Sequence, residues 1–369
     1  MKEGWEKKKL GEVAEIEYGT RVVQKKDGGT LYPVYGGGGA TFRMDTYNRE
    51  DRMVIARFAM SPQCTRYVNG KFFLNDSGLT LSPNNKELKQ DYLDRALFSL
   101  NNKIYSLGKG AAQKNLDMKA FKEMLIPVPP LSVQESIVSE LDMLSGIISK
   151  HKALQEEYDR LEQSIFYDMF GDPVTNEKGW EVKKLGEVCE ITSSKRIFAN
   201  EYVDKGIPFY RSKEIAELGD NKPISVELFI DKNKFEDIRK KFDIPHKNDI
   251  LIAAIGATIG KMWIVNSTSD FYFKDGNIIW LKNKGFCPIY IKNILNLKIQ
   301  SLKEQITNGG AYPALTIVTL KEMEINYPPI SIQQSFADKI SAIEQMKAKN
   351  KAAQEEAEML FNERMAYYF

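Results

Sequence analysis

Two segments of this chain carry long helical periodicity. From Ile137, apolar or large residues recur at Leu141, Leu144, Ile148, His151, Leu154, Tyr158, Leu161 and Ile165. Steps of three and four place them on one helix face. A second stripe runs through Phe336, Ile340, Ile343, Lys347, Asn350, Ala353, Ala357, Leu360 and Arg364. Neither segment has an internal proline. "PPLSVQE" and "PPISIQQ" supply the starts: proline blocks helix upstream, Ser132 and Ser331 are placed to cap, and a Glu or Gln follows three residues later. Each helix should reach roughly 55–60 Å at 1.5 Å per residue. Leu154 and Tyr158 in the first correspond to Ala353 and Ala357 in the second, large against small, which suits close packing. His151 and Asn350 share one position near the helix midpoints and would meet in an antiparallel pair, where a polar contact sets register. Packing between two copies of the chain is the open alternative.

Outside these helices the pattern shortens. "YPVYGGGGATFRM", "RMVIARFAM" and "CTRYVNGKFFLN" read as strands, with a type I′ hairpin predicted at Asn69-Gly70. A helical stretch, "DYLDRALFSLNNKIYSL", follows. A second interior offers "IPFYRSKEI", "NDILIAAIGATIGKMWIVNS" and "GNIIWLKN", then the helical "IYIKNILNLKIQSLKEQI". Both interiors predict compact, glycine-punctuated α+β domains.

The two halves are copies in their frames only. "GWEKKKLGEVAEI" from Gly4 returns as "GWEVKKLGEVCEI" from Gly179. Lys122-Glu123-Met124 and Pro130-Leu131-Ser132-Val133-Gln134 return 199 residues later as Lys321-Glu322-Met323 and Pro329-Ile330-Ser331-Ile332-Gln333. Two repeats fill the sequence, and long-period repetition governs any reading of fold. The boundaries follow: residues 1–130 and 171–329 as globular domains, 131–170 and 330–369 as helices.

Charge sharpens the division. Residues 131–170 hold three basic and eight acidic side chains, a net of −5, and 330–369 hold five and six, a net of −1. Residues 1–130 carry +6 and 171–329 carry +2. Basic globular domains are what phosphate binding requires. The N-terminus lacks a signal-peptide core, and no apolar run approaches a membrane span. Cys64, Cys189 and Cys287 are isolated, which predicts neither a disulfide framework nor a zinc site. The expectation is a cytoplasmic protein with no structural metal.

Several turns place donors where nucleic acid could be met. Tyr35, Gly36, Gly37 and Gly38, with Arg43, would let backbone amides approach phosphate. Arg57 follows an apolar strand. Lys109, Gln113 and Lys114 lie in "GKGAAQK", and Tyr312 lies in the matched "NGGAY". Lys195 and Arg196, then Tyr210, Arg211, Ser212 and Lys213, then Thr258 and Lys261, flank turns in the second interior. Arginine and lysine match guanine edges, and glutamine or asparagine matches adenine. Each alone is equally a solvated side chain on an ordinary glycine turn. Catalytic signatures do not assemble. "GATIGKM" has one residue too few between its glycines for a phosphate loop, and Met262 stands where a magnesium-binding hydroxyl belongs. There is no "HExxH", "GxSxG" or adenine-holding "NPPY".

In combination, "GWE.KKLGEV.EI" heading each half, "PPLS.QE" or "PPIS.QQ" opening a long helix, and "MFGDPVTN" between repeats resemble the specificity subunit of type I restriction-modification systems. The resemblance covers essentially the whole chain. It implies two target recognition domains joined by two long antiparallel coiled-coil helices in a pseudo-two-fold repeat, each domain reading half of a split DNA site. It implies double-stranded DNA and two methyltransferase subunits as partners, and restriction/translocase subunits where cleavage occurs. S-adenosylmethionine, and ATP with magnesium, would then sit on those partners and no cofactor on this chain, which would be non-catalytic. Half-sites read from one face should lie about one helical turn, ~34–36 Å, apart. The rival reading is a coiled-coil adaptor whose globular parts bind proteins.

Overall fold

The two "LGEV" headings form the same local structure for the same reason. A short strand (Glu6–Lys9) pairs antiparallel with Leu125–Val128, and its repeat (Val182–Lys184) pairs with Glu324–Asn326. A one-turn helix follows each, Leu10–Val13 and Leu185–Val188. Leu10 and Leu185, both fully buried, donate their N–H groups to Met124 and Met323 at 2.7 and 2.9 Å. Repeated heading and repeated "KEM" segment thus close on each other around each interior. These relations come from a computed structural model describing residues 5–111, 113–305 and 315–369. It divides into two compact units, Met1–Gln155 with Lys349–Phe369, and Glu156–Ala348.

In the first unit the interior is a six-stranded sheet, in spatial order Ala14–Tyr18, Gly78–Pro83, Arg49–Ala56, Thr65–Leu74, Tyr32–Tyr35, Ala40–Met44. Helices Gln90–Ser99 and Asn101–Ser106 accompany it. Asn69-Gly70 makes no hairpin. Both lie inside the ten-residue strand Thr65–Leu74, opposite the single residue Asp51, where the pairing shifts register. Gly70 (φ +72°) donates to Asp51 Oδ1 at 2.7 Å, so the left-handed glycine serves a bulge.

The second unit holds two four-stranded sheets. One runs Glu190–Thr192, Ile278–Lys282, Ile250–Ala253, Met262–Ile264; the other runs Tyr202–Val203, Phe229–Ile230, Ile207–Tyr210, Tyr272–Phe273. Helices Ser212–Gly219, Lys232–Lys241 and Pro288–Gln305 complete it.

The long helices span Leu131–Phe170 and Ile330–Tyr368. Ser132 and Ser331 lie inside the first turn and do not cap. The residue that ties down each start is the glutamine of the shared motif. Gln134 and Gln333 are fully buried, and their Nε2 groups donate to Pro129 and Pro328 carbonyls, each at 2.8 Å. Within the first unit, Arg364 meets Glu140 at 2.9 Å and His151 meets Asn350, so the two helices run antiparallel there. Asn350 Nδ2 donates to the His151 carbonyl at 2.9 Å, which fixes the amide and leaves its oxygen to accept from His151 Nδ1 at 2.7 Å. Within the second unit, Phe166 and Phe170 pack edge-on against Phe336.

The buried stripe departs from the predicted one at a single repeat position. Leu161 and Leu360 are 45% and 39% exposed. From Tyr158 the inward face passes through Glu162 to Phe166, because a turn of 3.6 residues calls for a step of four there. Glu162 is tolerated because Lys347 reaches it at 2.7 Å and Asp159 at 2.7 Å.

Candidate nucleic-acid interface

Behind their unlike sequences the two interiors share one loop scaffold. In the first, Tyr35 pairs in parallel with Leu74, and its carbonyl accepts from the Asn75 N–H at 2.8 Å. In the second, Tyr210 pairs in parallel with Phe273 and accepts from Lys274, also at 2.8 Å. Arg57 N–H donates to the Ser77 carbonyl, and Ala254 N–H to that of Asn277, both at 2.8 Å. The Arg57 and Ala254 carbonyls accept from Leu116 and Leu315 at 2.9 and 3.0 Å. Matching the bonds equates Tyr35 with Tyr210, Arg57 with Ala254, and Asn75–Ser77 with Lys274–Asn277. After the tyrosines, Gly36 and Arg211 are the last equivalent positions, since the chain then bends toward a strand in the first unit and enters the helix Ser212–Gly219 in the second.

In the first unit, the loops at residues 35–39, 57–60, 75–77 and 113–115 therefore converge. A Cβ at Gly36 would lie 2.1 Å from Ser77 Oγ and displace that hydroxyl, whereas Gly38 and Gly39 face open space. The Arg57 guanidinium lies 4.6 Å from the ring centres of both Tyr18 and Phe58. The two rings orient it, and no described residue hydrogen-bonds its N–H groups. Arg66, absent from the sequence-based candidates, donates to the Gly38 carbonyl. Lys114 covers the Tyr105 ring at 4.2 Å, Lys109 pairs with Asp117 at 2.5 Å, and Gln113 is exposed. Arg43 does not join this group. Its Nη1 donates to the Leu31 carbonyl at 2.6 Å, toward the other end of its strand pair. Tyr35 joins through its backbone; its ring packs edge-on against buried Phe72 at 5.7 Å.

In the second unit, residues 193–196, 210–213, 254–258 and 274–277 converge. Ser194 Oγ donates to the Phe273 carbonyl at 2.7 Å, and Ser212 Oγ to that of Asn277 at 3.1 Å. Arg196, 67% exposed, is held by Asp275 at 2.9 Å, while Lys195 covers the Phe242 ring at 4.4 Å. Tyr210 is structural in the same way as Tyr35: its ring stacks on Phe271 at 5.2 Å, and burial pushes its hydroxyl above the ordinary tyrosine range. Arg211 is clamped by fully buried Glu214, whose carboxyl burial would raise; hydrogen bonds from the Arg211 side chain and backbone prevail and hold it below the usual glutamate range. Lys213 is exposed and loosely paired with Glu217 at 3.8 Å. Thr258 closes a 3₁₀ turn beside this cluster. Lys261 is turned away to Asp220, past the far end of the helix that Arg211 begins, at 2.8 Å. Tyr312 lies outside the described residues. Sequence reasoning missed residues 75–77 and 274–277, although the paired "NDSG" and "KDGN" turns were there to be aligned.

Among the described residues, no cluster of three or more His, Cys, Asp or Glu side chains is disposed to hold a metal ion, and no helix is long and apolar enough to cross a membrane. All three cysteines are free and buried.

Loop anchors repeated on an α+β frame, with long helices that run antiparallel in the first unit, define a protein of two like globular halves on a helical frame. The family model of the type I restriction modification DNA specificity domain matches residues 2–158 and 177–359. The chain belongs to the family of type I restriction-modification specificity subunits. It is 28% identical over 351 residues to a putative type I restriction enzyme specificity subunit of Haemophilus influenzae, covering 91% of this chain and 87% of that one. To the MjaVIII specificity subunit of Methanocaldococcus jannaschii it is 24% identical over 319 residues, covering 79% and 72%. The type I S subunit of M. genitalium shares the fold, with a TM-score of 0.63 over 99% of this chain and 96% of that one at 17% identity.

Proposed function

We propose that this chain is the DNA-reading, non-catalytic subunit of a type I restriction-modification complex. Residues 1–130 and 171–329 each read one half of a split, asymmetric site, and the long helices set the unread spacer between the halves. The supporting observation is that matched backbone anchors carry different residues: Gly36 against Arg211 after the paired tyrosines, and Arg57 against Ala254. Keeping the anchors while exchanging what projects from them is what changes a half-site without changing how DNA is approached. Arg57, Lys213 and Arg196 are the donors best presented for bases or phosphate. The acidic helices are poor phosphate binders and present surface to partner proteins.

By family membership, those partners are two methyltransferase subunits carrying S-adenosylmethionine and, for cleavage, restriction subunits driven by ATP with magnesium. The test is a single-molecule methylome of an unmethylated host co-expressing the chain with its neighbouring methyltransferase. A split adenine-methylated motif that disappears when this chain is deleted supports the reading. A motif that persists, or none at all, transfers support to a protein-binding adaptor.

A further inference from the structure

Arg211 is the one candidate reader whose side chain is fixed by a fully buried acid. Glu214 Oε1 accepts from Arg211 Nη2 at 2.8 Å, and Oε2 accepts from Nε at 3.2 Å and from the Arg211 backbone N–H at 2.8 Å. A guanidinium has five N–H donors in a rigid plane. Glu214 occupies the edge formed by Nε and Nη2. The edge formed by Nη1 and the second Nη2 hydrogen has no partner among the described residues, and the side chain is 40% exposed while Glu214 is not exposed at all. An arginine acting on phosphate as a diffuse charge needs no such clamp, whereas a bidentate contact to a base edge depends on the plane being held in one orientation. Ionised Glu214 within the fold also keeps the clamp charged at all physiological pH values.

We propose that Arg211 reads a guanine through O6 and N7 in the half-site bound by residues 171–329, and that Glu214 is the positioning residue for that contact. The inference rests on the DNA-reading function above. It also carries an asymmetry: the equivalent of Arg211 in the first unit is Gly36, so the other half-site has no contact from this position.

The experiment uses the full chain co-produced with its methyltransferase partner. The wild-type motif is mapped first, then that of Arg211→Met, which keeps the aliphatic length but removes every donor. The expected result is a preference for guanine at one position of one half-site, weakened about 5- to 150-fold in the variant. The other half-site and the salt dependence of binding stay as in wild type. Glu214→Gln should relax the same position. Unaltered protein bound to duplex with 7-deazaguanine at that position removes any question of folding and should lose a similar factor. Retained preference in Arg211→Met, a uniform loss across sequences, or indifference to 7-deazaguanine overturns the guanine contact while leaving DNA reading intact. A motif independent of the chain would overturn both.

Discussion

Asp94 is a buried carboxyl whose removal should stabilise the first unit at neutral pH. It is 4% exposed, on the helix Gln90–Ser99. Oδ1 accepts from Gln90 Nε2 at 3.0 Å, and Oδ2 has no hydrogen-bond partner. Burial pushes its carboxyl up to about 7, against the opposing pull of Gln90, Arg52 and the Met53 amide. The folded value exceeds the ordinary aspartate value of ~3.9, so the folded form holds a proton that the unfolded chain has released. Stability is therefore fullest below about pH 4 and is lost as pH rises through about 7. Three pH units at about 1.4 kcal/mol each set the loss at about 4 kcal/mol, an upper value because local water entry reduces it. Asp94→Asn keeps the Gln90 acceptor and cannot ionise. Denaturant melts of wild type and variant from about pH 4 to about pH 8 should show the variant gaining ~2–4 kcal/mol on wild type across that range. A difference that stays flat with pH would refute the reasoning.

Other expectations come from the helices and their anchors. Lys347→Ala leaves Glu162 and Asp159 unpaired and should destabilise the second unit by about 3 kcal/mol, the lower end for breaking a buried pair. The Lys347 ammonium, though opposed by burial, is held above the ordinary lysine range by Asp159 and Glu162, so wild type should lose this contribution only as pH rises through that higher value; a loss near neutrality would contradict it. Gln134→Ala removes bonds to Lys89 N–H, the Glu87 carbonyl and the Pro129 carbonyl, and Gln333→Ala removes fewer short ones. Urea melts should therefore show the first substitution costing more, about 2–3 kcal/mol against ~1–2. Asn350→Ala breaks both contacts to His151 and should cost about 1–2 kcal/mol, read by thermal denaturation.

Much of this molecule was written in local patterns. The helices were legible because 3.6-residue periodicity runs unbroken through them and double proline marks each start. The frame was legible because the headings and "KEM" segments repeat nearly letter for letter, and identical sequences bury identical faces. His151 and Asn350 were matched by repeat position alone, and the contact follows from antiparallel pairing within the first unit. What only tertiary structure decided lies where partners are distant or backbone bonds carry the likeness. The interiors share hydrogen bonds through N–H and C=O groups, which leave no mark on residue identity, so Arg57 and Ala254 could not be aligned by eye. Arg43 and Lys261 read as free donors until Leu31 and Asp220 were seen to engage them. The spacing of Arg211 and Glu214 was visible as three residues, but not that the acid is wholly buried and the arginine is not. Burial is a property of everything packed around a side chain, and it decides which charges are held and which stay open to solvent.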